Sequence, residues 1–541
     1  MAHYSKIFHK VPVDIPNKSG FDMSHTNLFT AECGTLVPAL VEPLLPNDTV
    51  SLDVFSQIQM PPMATDFYGS IKAKFEVFFC PYRLLYGGWQ EVITRSTTNR
   101  TGTGGNGTTE LIKYIPGLRI PAVQAGAGSL ADYLGCKQDA AAGNVYVPNS
   151  LPFIAYHRIY DDWYRESRIQ TELFDKSKTY GNSLGTGSWT VSMMPYSYAS
   201  QVDGSPYIVD TSTSAGKFRD DVSVYSLRQR NWQKDYFTNA TPLPQSGEGA
   251  TIEFNTSDNT GSFTIAALRA ANSLQRYMER NNIAGFRYAD QIKATYGIYP
   301  SDAVLDRSIY LGSHTIPVYT KSVFQQSNTA PTDSKNPFGT IGTKYGSSQG
   351  VGDGQLVGKF TAEEHGFLFV MFSLVPDLQY STGTRRYLME TSQADIPNPL
   401  LQGVGDQPIY INELSGLPLD PDNPDTLPST YGYTQRYAHY KYHDDEVHGK
   451  LRDGEDLSPF ALQMSYSSDS IPSVNTNVLQ IPKEYLDQVM AVSSSQSGFA
   501  CWVQCGFRFH KSSTLSAYDI PTLGDLRNVH TEVIDNGGRR L

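Results

Sequence analysis

The sequence predicts a mainly β protein, an antiparallel sandwich whose strands come from both ends of the chain. Tyr (34) and Gly (45) are abundant, while charged residues make up only 18% of the 541 residues. This composition favours pleated, half-buried surfaces joined by turns. Three strand-like segments also follow one another within residues 35–85 with no helix between them, and similar segments return only near the other end.

The first three segments have the alternating hydrophobicity of strands that bury one face. Residues 35–46 (TLVPALVEPLLP) and 49–60 (TVSLDVFSQIQM) are separated by a Pro-Asn-Asp turn. Within the second segment Val50, Leu52 and Val54 alternate with polar residues. In residues 70–85 the apolar positions again lie two apart, at Ile71, Ala73, Phe75, Val77 and Phe79.

The later strands are predicted at residues 359–380, 431–443 and 497–511. The chain then divides into five parts. These are an extended N-terminal arm (1–30), the first set of strands (31–85), inserted loops and helices (86–358), the second set of strands (359–515) and a C-terminal tail (516–541).

Two helices are predicted inside the insertion, because apolar residues recur there at helical spacing. The first covers residues 152–166, with Ile154, Ile159 and Trp163 on one side. The second covers residues 264–282. Its apolar stripe is Ile265, Leu268, Ala271, Leu274 and Met278, and its charged positions outside the stripe are Arg269, Arg276, Glu279 and Arg280.

The net charge and the cysteine pattern restrict the kinds of binding site that the sequence predicts. The net charge is −11, whereas a protein that binds nucleic acid over most of its surface is usually basic, so any such contact is expected to be a local patch. The five cysteines show no paired metal-ligand spacing and predict reduced, mostly buried thiols. Cys501 and Cys505 fall on the same face of one predicted strand.

No membrane partner is predicted. The first residues lack the apolar region of a secretory signal. The longest apolar run, residues 366–375, has about half the length of a membrane-spanning helix and fits a buried strand.

The glycine spacing of Gly102, Gly104 and Gly107 resembles a phosphate-binding loop, but no hydrophobic strand precedes it. Residues 437–450 (YAHYKYHDDEVHGK) are a second candidate, for a metal site or for acid–base chemistry. On a strand His439 and His443 would share a face, with Lys441 between them to repel a dication. We therefore expect an exposed strand followed by an acidic turn, with no cofactor, metal site or catalytic residue.

A third candidate is the basic and aromatic segment 225–247. At strand spacing Arg228, Arg230, Trp232 and Lys234 could line one surface that stacks bases and binds phosphates. The other interpretation is a loop or subunit interface with aromatic anchors. Further candidate DNA contacts lie near the chain ends, at Lys6, Lys10, Arg539 and Arg540.

Several long blocks resemble, in order, the major capsid proteins of the Microviridae, especially the gokushovirus-like branch. They include FDMSHTNLFTAECGTLVPALVEPLLPNDTVSL (21–52), FFCPYRLLYGGWQEVIT (78–94) and LPFIAYHRIYDDWYRESRIQ (151–170). Later blocks are 234–247, 288–318 and 432–454.

The resemblance implies a single viral jelly roll, an eight-stranded antiparallel sandwich with long loop insertions containing a few helices. It implies a virion protein that is not an enzyme and that assembles with itself into a T=1 icosahedral shell around a circular single-stranded DNA genome. The implied partners are that DNA, internal scaffolding and DNA pilot proteins, and a host-cell receptor, with assembly in the bacterial cytoplasm.

A second class of function stays open from the residues alone. A β-sandwich rich in Tyr, Trp and Asp could bind or cleave glycans, since two distant carboxylates can meet in the fold. Such a protein would elute as a monomer or small oligomer, whereas a capsid protein forms particles.

Overall fold

The computed structural model describes a chain whose secondary structure is dominated by strands. The described residues are 18–65, 67–86, 89–94, 102–103, 109–110, 115, 117–136, 145–174, 208–210, 220, 222–244, 265–284, 292–293, 296–297, 301–302, 304–324, 344–391, 393, 395–417, 429–466, 473–492 and 499–515.

The strands are β1 (Ser19–Asp22), β2 (His25–Ala31), β3 (Val37–Leu44), β4 (Thr49–Gln59), β5 (Ile71–Pro81), β6 (Gly102–Thr103), β7 (Thr109–Glu110), β8 (Gly117–Ile120), β9 (Val145–Val147), β10 (Ile208–Asp210), β11 (Ile309–Phe324), β12 (Lys344–Thr361), β13 (Gly366–Pro376), β14 (Gln407–Tyr410), β15 (Thr430–Thr434) and β16 (Cys501–Ser513). The α-helices are α1 (Trp89–Thr94), α2 (Leu130–Tyr133), α3 (Leu151–Ile159), α4 (Ile265–Ala284), α5 (Ile411–Leu414) and α6 (Thr476–Leu479).

The main sheet is antiparallel throughout and runs in the order β1-β16-β4-β12-β11-β5-β13-β3, with β2 also paired to β16. Its two longest strands join the two halves of the sheet. β11 pairs with β5 through residues 309–318 and with β12 through 319–324. Because strands from both ends of the chain meet in it, the sheet confirms the predicted mainly β, jelly-roll architecture.

The curled sheet encloses one hydrophobic core and carries a second on its back. Along β13, Leu368, Val370 and Phe372 point into the enclosed core. The alternate residues Phe369 and Met371 pack in the second cluster with α3. Both faces of β13 are therefore buried, which explains why residues 366–376 are apolar without alternation.

The two ends of the sheet approach each other across the enclosed core. Asn27 Nδ2 on β2 donates a hydrogen bond to the Ala39 carbonyl on β3 at 2.8 Å. Lys511 Nζ donates to the Pro43 carbonyl at 3.1 Å, and the rings of Phe29 and Phe372 meet edge-on at 5.3 Å. These side-chain contacts therefore connect the two ends of the sheet, whose described strands are not paired with each other by backbone hydrogen bonds.

Two strand predictions need correction. Strands do not return only near residue 359, because β11 and most of β12 precede that point and lie at the centre of the sheet. Residues 437–443 are not a strand either. The strand ends at Thr434, Tyr437 adopts a left-handed backbone (φ 60°), and Ala438–Tyr440 form a 3-10 turn.

Both predicted helices form. The first, α3, continues into one turn of π-helix at Tyr160–Tyr164, and Ile154 and Ile159 are buried as predicted. The apolar stripe of α4 is not buried inside the protomer where it can be assessed, since Leu274 is 51% exposed. No helix among the described residues is both long and apolar enough to cross a membrane.

Cys33, Cys80, Cys501 and Cys505 are buried in the cores, as predicted for structural thiols. Cys501 and Cys505 do share the inward face of β16. Burial raises the pKa of the Cys501 thiol to about 12, so it stays protonated at neutral pH.

Candidate nucleic-acid and assembly interface

The predicted basic and aromatic segment begins with a deeply buried arginine. The Arg228 side chain is 4% exposed and forms an ion pair with Asp220. Its Nε donates to His157 Nδ1 at 3.0 Å. Burial and the adjacent Arg228 charge hold the pKa of His157 well below its usual value, so this pair carries one positive charge.

Arg230 is anchored in the same way, to a carboxylate of the main sheet. Its Nη2 donates to Glu76 Oε1 on β5 at 3.1 Å, and its Nη1 donates to Ser373 Oγ on β13 at 3.0 Å. Burial alone would raise the pKa of Glu76, but the Arg230 charge and hydrogen bonds outweigh it and lower that pKa. The pair ties the segment to two strands of the sheet.

Trp232 and Lys234 differ in exposure. Trp232 is 6% exposed, and its ring meets Tyr485 edge-on at 5.0 Å. The side chain of Lys234 is 59% exposed, with Nζ 2.6 Å from Glu166 Oε2. The four residues therefore do not line one open surface in the protomer, and three of them anchor a loop. Their contact with DNA stays a prediction.

Lys6, Lys10, Arg539 and Arg540 lie outside the described residues. So does most of the glycine-rich loop around Gly104 and Gly107.

Sequence reasoning missed the carboxylates that position this region. Arg158 Nε pairs with Asp162 Oδ2 at 3.1 Å, and the same oxygen accepts from the Ser308 amide at 2.8 Å. Arg165 Nε pairs with Asp161 Oδ1 at 2.6 Å. Both pairs have i, i+4 spacing, a signal that the sequence displays. The first pair fixes the π-turn against the start of β11, and the second holds it against the segment that follows, where the Leu173 amide donates to Asp161 Oδ1.

The histidine-rich stretch forms one wall of a cleft of about 830 Å³. His439 Nε2 lies 2.8 Å from Glu390 Oε1, and its Nδ1 accepts from Gln407 Nε2 at 3.1 Å. His443 instead contacts the carbonyl of Asp444. Across the described part of the chain, no three His, Cys, Asp or Glu side chains are grouped as metal ligands.

Asp444 is the most perturbed carboxyl of this stretch. Burial, followed by the nearby charge of Asp235, raises its pKa to about 6. The carboxyl accepts a hydrogen bond from the Tyr236 amide at 3.2 Å, and Asp235 accepts from the Tyr380 hydroxyl at 2.8 Å. These contacts join three segments of the chain, which is a structural arrangement.

A different surface presents large apolar side chains to solvent. It is the outer face of the half-sheet formed by β2, β16, β4, β12 and β11, and we call it the uncovered sheet face. Its exposed residues are Leu28 (73%), Phe55 (43%), Tyr319 (65%), Val351 (55%) and Trp502 (39%).

The strand register groups these side chains into neighbouring rows. Leu28 and Val351 end a row that passes through Gln504 and Gln57. Trp502 and Tyr319 belong to the adjacent row. The opposite half-sheet packs its back against α3. On the uncovered sheet face, the segment around α2 (127–135) borders the β2 end, and the apolar side chains named above remain exposed. Large apolar side chains exposed together on one sheet face favour a protein–protein contact surface.

A curled antiparallel jelly roll with exposed apolar side chains on one face and long insertions is an architecture that viral shell proteins use. The comparisons with known proteins agree. The family described as "Capsid protein (F protein)" matches residues 10–259 and 254–523.

Three curated relatives, each named capsid protein VP1, match over most of their length. The protein of Chlamydia phage 1 is 24% identical, over 95% of this chain and 97% of the relative. That of Bdellovibrio phage phiMH2K is 22% identical, over 83% and 85%. That of Spiroplasma virus 4 is 22% identical, over 94% and 95%.

The chain therefore belongs to the capsid protein (F protein) family of the Microviridae, and it is a major capsid protein of the virion. The comparisons give no support to the alternative of a glycan-binding or glycan-cleaving sandwich.

Proposed function

We propose that copies of this capsid protein close into a small T=1 icosahedral shell around a circular single-stranded DNA genome. The observation that carries the proposal is a jelly roll whose half-sheet face is apolar and open in the protomer, in a chain that matches a capsid family almost end to end. Contacts between two different patches on neighbouring copies form a closed ring when the rotation that relates the copies returns to the first copy. Such rings build a shell.

In such a shell the binding free energy of each contact between two copies can be small. A subunit in a closed shell touches several neighbours at once, so weak contacts reinforce one another. The uncovered sheet face supplies one such contact surface. Its polar residues include the uncharged Gln57 and Gln504, whose amides can hydrogen-bond across a contact when water is excluded, and the exposed pair of Arg508 with Asp353.

We propose that contact with the genome is local, because the chain carries a net charge of −11. The proposed contacts are the chain-end cations Lys6, Lys10, Arg539 and Arg540, together with the exposed Lys234. Lys and Arg bind phosphates by releasing counterions, so this contact should weaken as salt rises. Arg228, Arg230 and Trp232 act as anchors of the segment that presents Lys234.

The remaining roles follow from capsid assembly. The protein works without catalysis. Internal scaffolding and DNA pilot proteins assist it in the bacterial cytoplasm, and the finished shell binds a receptor on the host cell.

Negative-stain microscopy of the purified protein tests the shell. We expect uniform closed particles, and nuclease treatment of particles from infected cells should leave a protected single-stranded circle. A protein that stays monomeric at every concentration and ionic strength would contradict the proposal. Particles that protect no DNA would contradict its genome-binding part alone.

A further inference from the structure

Helix α4 presents three arginines on one side. Arg269, Arg276 and Arg280 are all exposed. At 100° per residue, their spacing of seven and four residues places them within about 40° around the helix axis. A rise of 1.5 Å per residue separates their Cα atoms by about 10 and 6 Å along it. The helix therefore carries a straight row of positive charge.

These arginines differ from most of the other arginines that the structure describes. No hydrogen bond or ion pair within the described part of the chain engages Arg269, Arg276 or Arg280. Ten other arginines pair with carboxylates of the same chain: Arg83, Arg158, Arg165, Arg168, Arg228, Arg230, Arg307, Arg385, Arg386 and Arg508. Among the described side chains the row on α4 has no such carboxylate partner, so we consider anions from outside the protomer as its ligands.

An aromatic ring lies next to this row. Tyr277 is 51% exposed and follows Arg276 directly, so at 100° per residue it flanks the arginines by about 80°. Leu274 is also exposed, and lies farther round on the side away from them. The exposed Leu274 therefore lies on a different side of the helix from the arginines, and the arginines and Tyr277 can face one ligand together.

A single-stranded nucleic acid suits this arrangement. Guanidinium groups bind phosphates through two parallel hydrogen bonds, and a tyrosine ring stacks on a base of any identity. A neighbouring copy would have to offer a matching row of carboxylates. A polynucleotide offers one negative charge per nucleotide along its whole length.

We infer that the row formed by Arg269, Arg276 and Arg280, with Tyr277 beside it, is a binding site for the phosphates and bases of single-stranded DNA. The inference rests on the proposed role of this chain in genome contact. It names a site in the body of the protein, separate from the chain ends and from Lys234.

The test is the salt dependence of binding between the full-length protein and a labelled oligo-dT, followed by fluorescence anisotropy. Each phosphate contact contributes about 0.7 to the slope of log K against log salt for a single strand. Removing three contacts in R269Q/R276Q/R280Q should lower that slope by about 2, which weakens binding at 0.1 M salt about 100-fold. Glutamine keeps the helix propensity close to that of arginine.

A charge-matched control is K321Q/K359Q/K441Q, which removes three exposed lysines elsewhere. It should leave the slope within experimental error. A second variant, Y277A, should weaken binding roughly tenfold without changing the slope, because stacking releases no counterions. Y277F should bind like the natural protein.

The outcomes separate the two proposals. If the natural protein shows no salt-dependent binding, the proposed genome contact itself fails. If it binds and the arginine variant keeps both slope and affinity, the inference is overturned while the capsid function stands. Equal losses in both triple variants also overturn it. So does an arginine variant that binds DNA normally but no longer forms particles, because the row would then belong to a subunit contact.

Discussion

Replacing Arg230 by Gln should destabilise the protomer by about 3 kcal/mol. The Arg230 and Glu76 side chains are only 15% and 16% exposed, and removing one partner of a buried ion pair costs about 3–5 kcal/mol. We expect the lower end of this range because a glutamine at position 230 can still hydrogen-bond to Ser373. The same structure predicts a similar loss for Glu76→Gln, which leaves the arginine charge unpaired.

Urea unfolding of the unassembled protomer, followed by tryptophan fluorescence, measures these losses. The double variant should lose less than the sum of the single variants, by about 2 kcal/mol, since the two residues act on each other. Lys234→Gln is the control, because the Lys234 side chain is 59% exposed and Glu166 keeps its ion pair with Arg168, so the loss should stay below about 1 kcal/mol.

The stabilising effect of this pair should depend on pH. The pKa of Glu76 is lower in the folded protein than its usual value. Its contribution is therefore complete above the unfolded pKa, about 4.3, and is lost as the pH falls through the folded pKa. The difference between Arg230→Gln and the natural protein should shrink in that acidic range.

If Arg230 contacted DNA instead of anchoring the fold, the unfolding and DNA-binding results would be the opposite. Arg230→Gln would then unfold like the natural protein and bind single-stranded DNA more weakly, while Glu76→Gln would leave DNA binding unchanged. That pair of results would refute the assignment of Arg230 as an anchor.

Four further predictions concern other parts of the molecule. Trp232→Ala should lower the free energy of unfolding by about 3–5 kcal/mol, because it empties a buried site, and thermal unfolding would reveal it. Asp444, whose pKa is raised to about 6, stabilises the fold less as the pH rises from about 4 to 6. Asp444→Asn should therefore gain roughly 1–2 kcal/mol over the natural protein at pH 7.5 and nothing at pH 4; an equal gain at both values would contradict this. Leu28→Lys should leave the protomer as stable as before but reduce particle formation, which sedimentation measures. Deleting residues 1–10 or 537–541 should lower DNA packaging more than folding, and particles of such variants that hold a full genome would disprove it.

The strands near the chain ends could be predicted from sequence because they bury one face. In β4 the buried residues Val50, Leu52 and Val54 alternate with less buried ones, so period two is visible. In β11 and β12 this signal is weak, because their apolar residues also occupy exposed positions such as Tyr319 and Val351. Alternation cannot reveal a strand whose outer face is apolar too.

The candidate site was predicted less completely. Sequence spacing predicted that Arg228, Arg230 and Trp232 line one open surface and could not show that they are largely buried. Their carboxylate partners, Asp220 and Glu76, come from other segments of the chain. Burial of a charge depends on such distant partners, and a local pattern contains no record of them.

The sequence by itself determined the family, the antiparallel strands at the two chain ends and the helical periodicity of α3 and α4. These features are local, since each depends on residues within a few positions of one another. Tertiary structure alone decided that β11 and β12 complete the sheet, that Arg228 and Arg230 are paired with buried or half-buried acids, and that the arginines of α4 are exposed. Contacts between residues far apart in the chain set burial and pairing, and only folding brings such residues together.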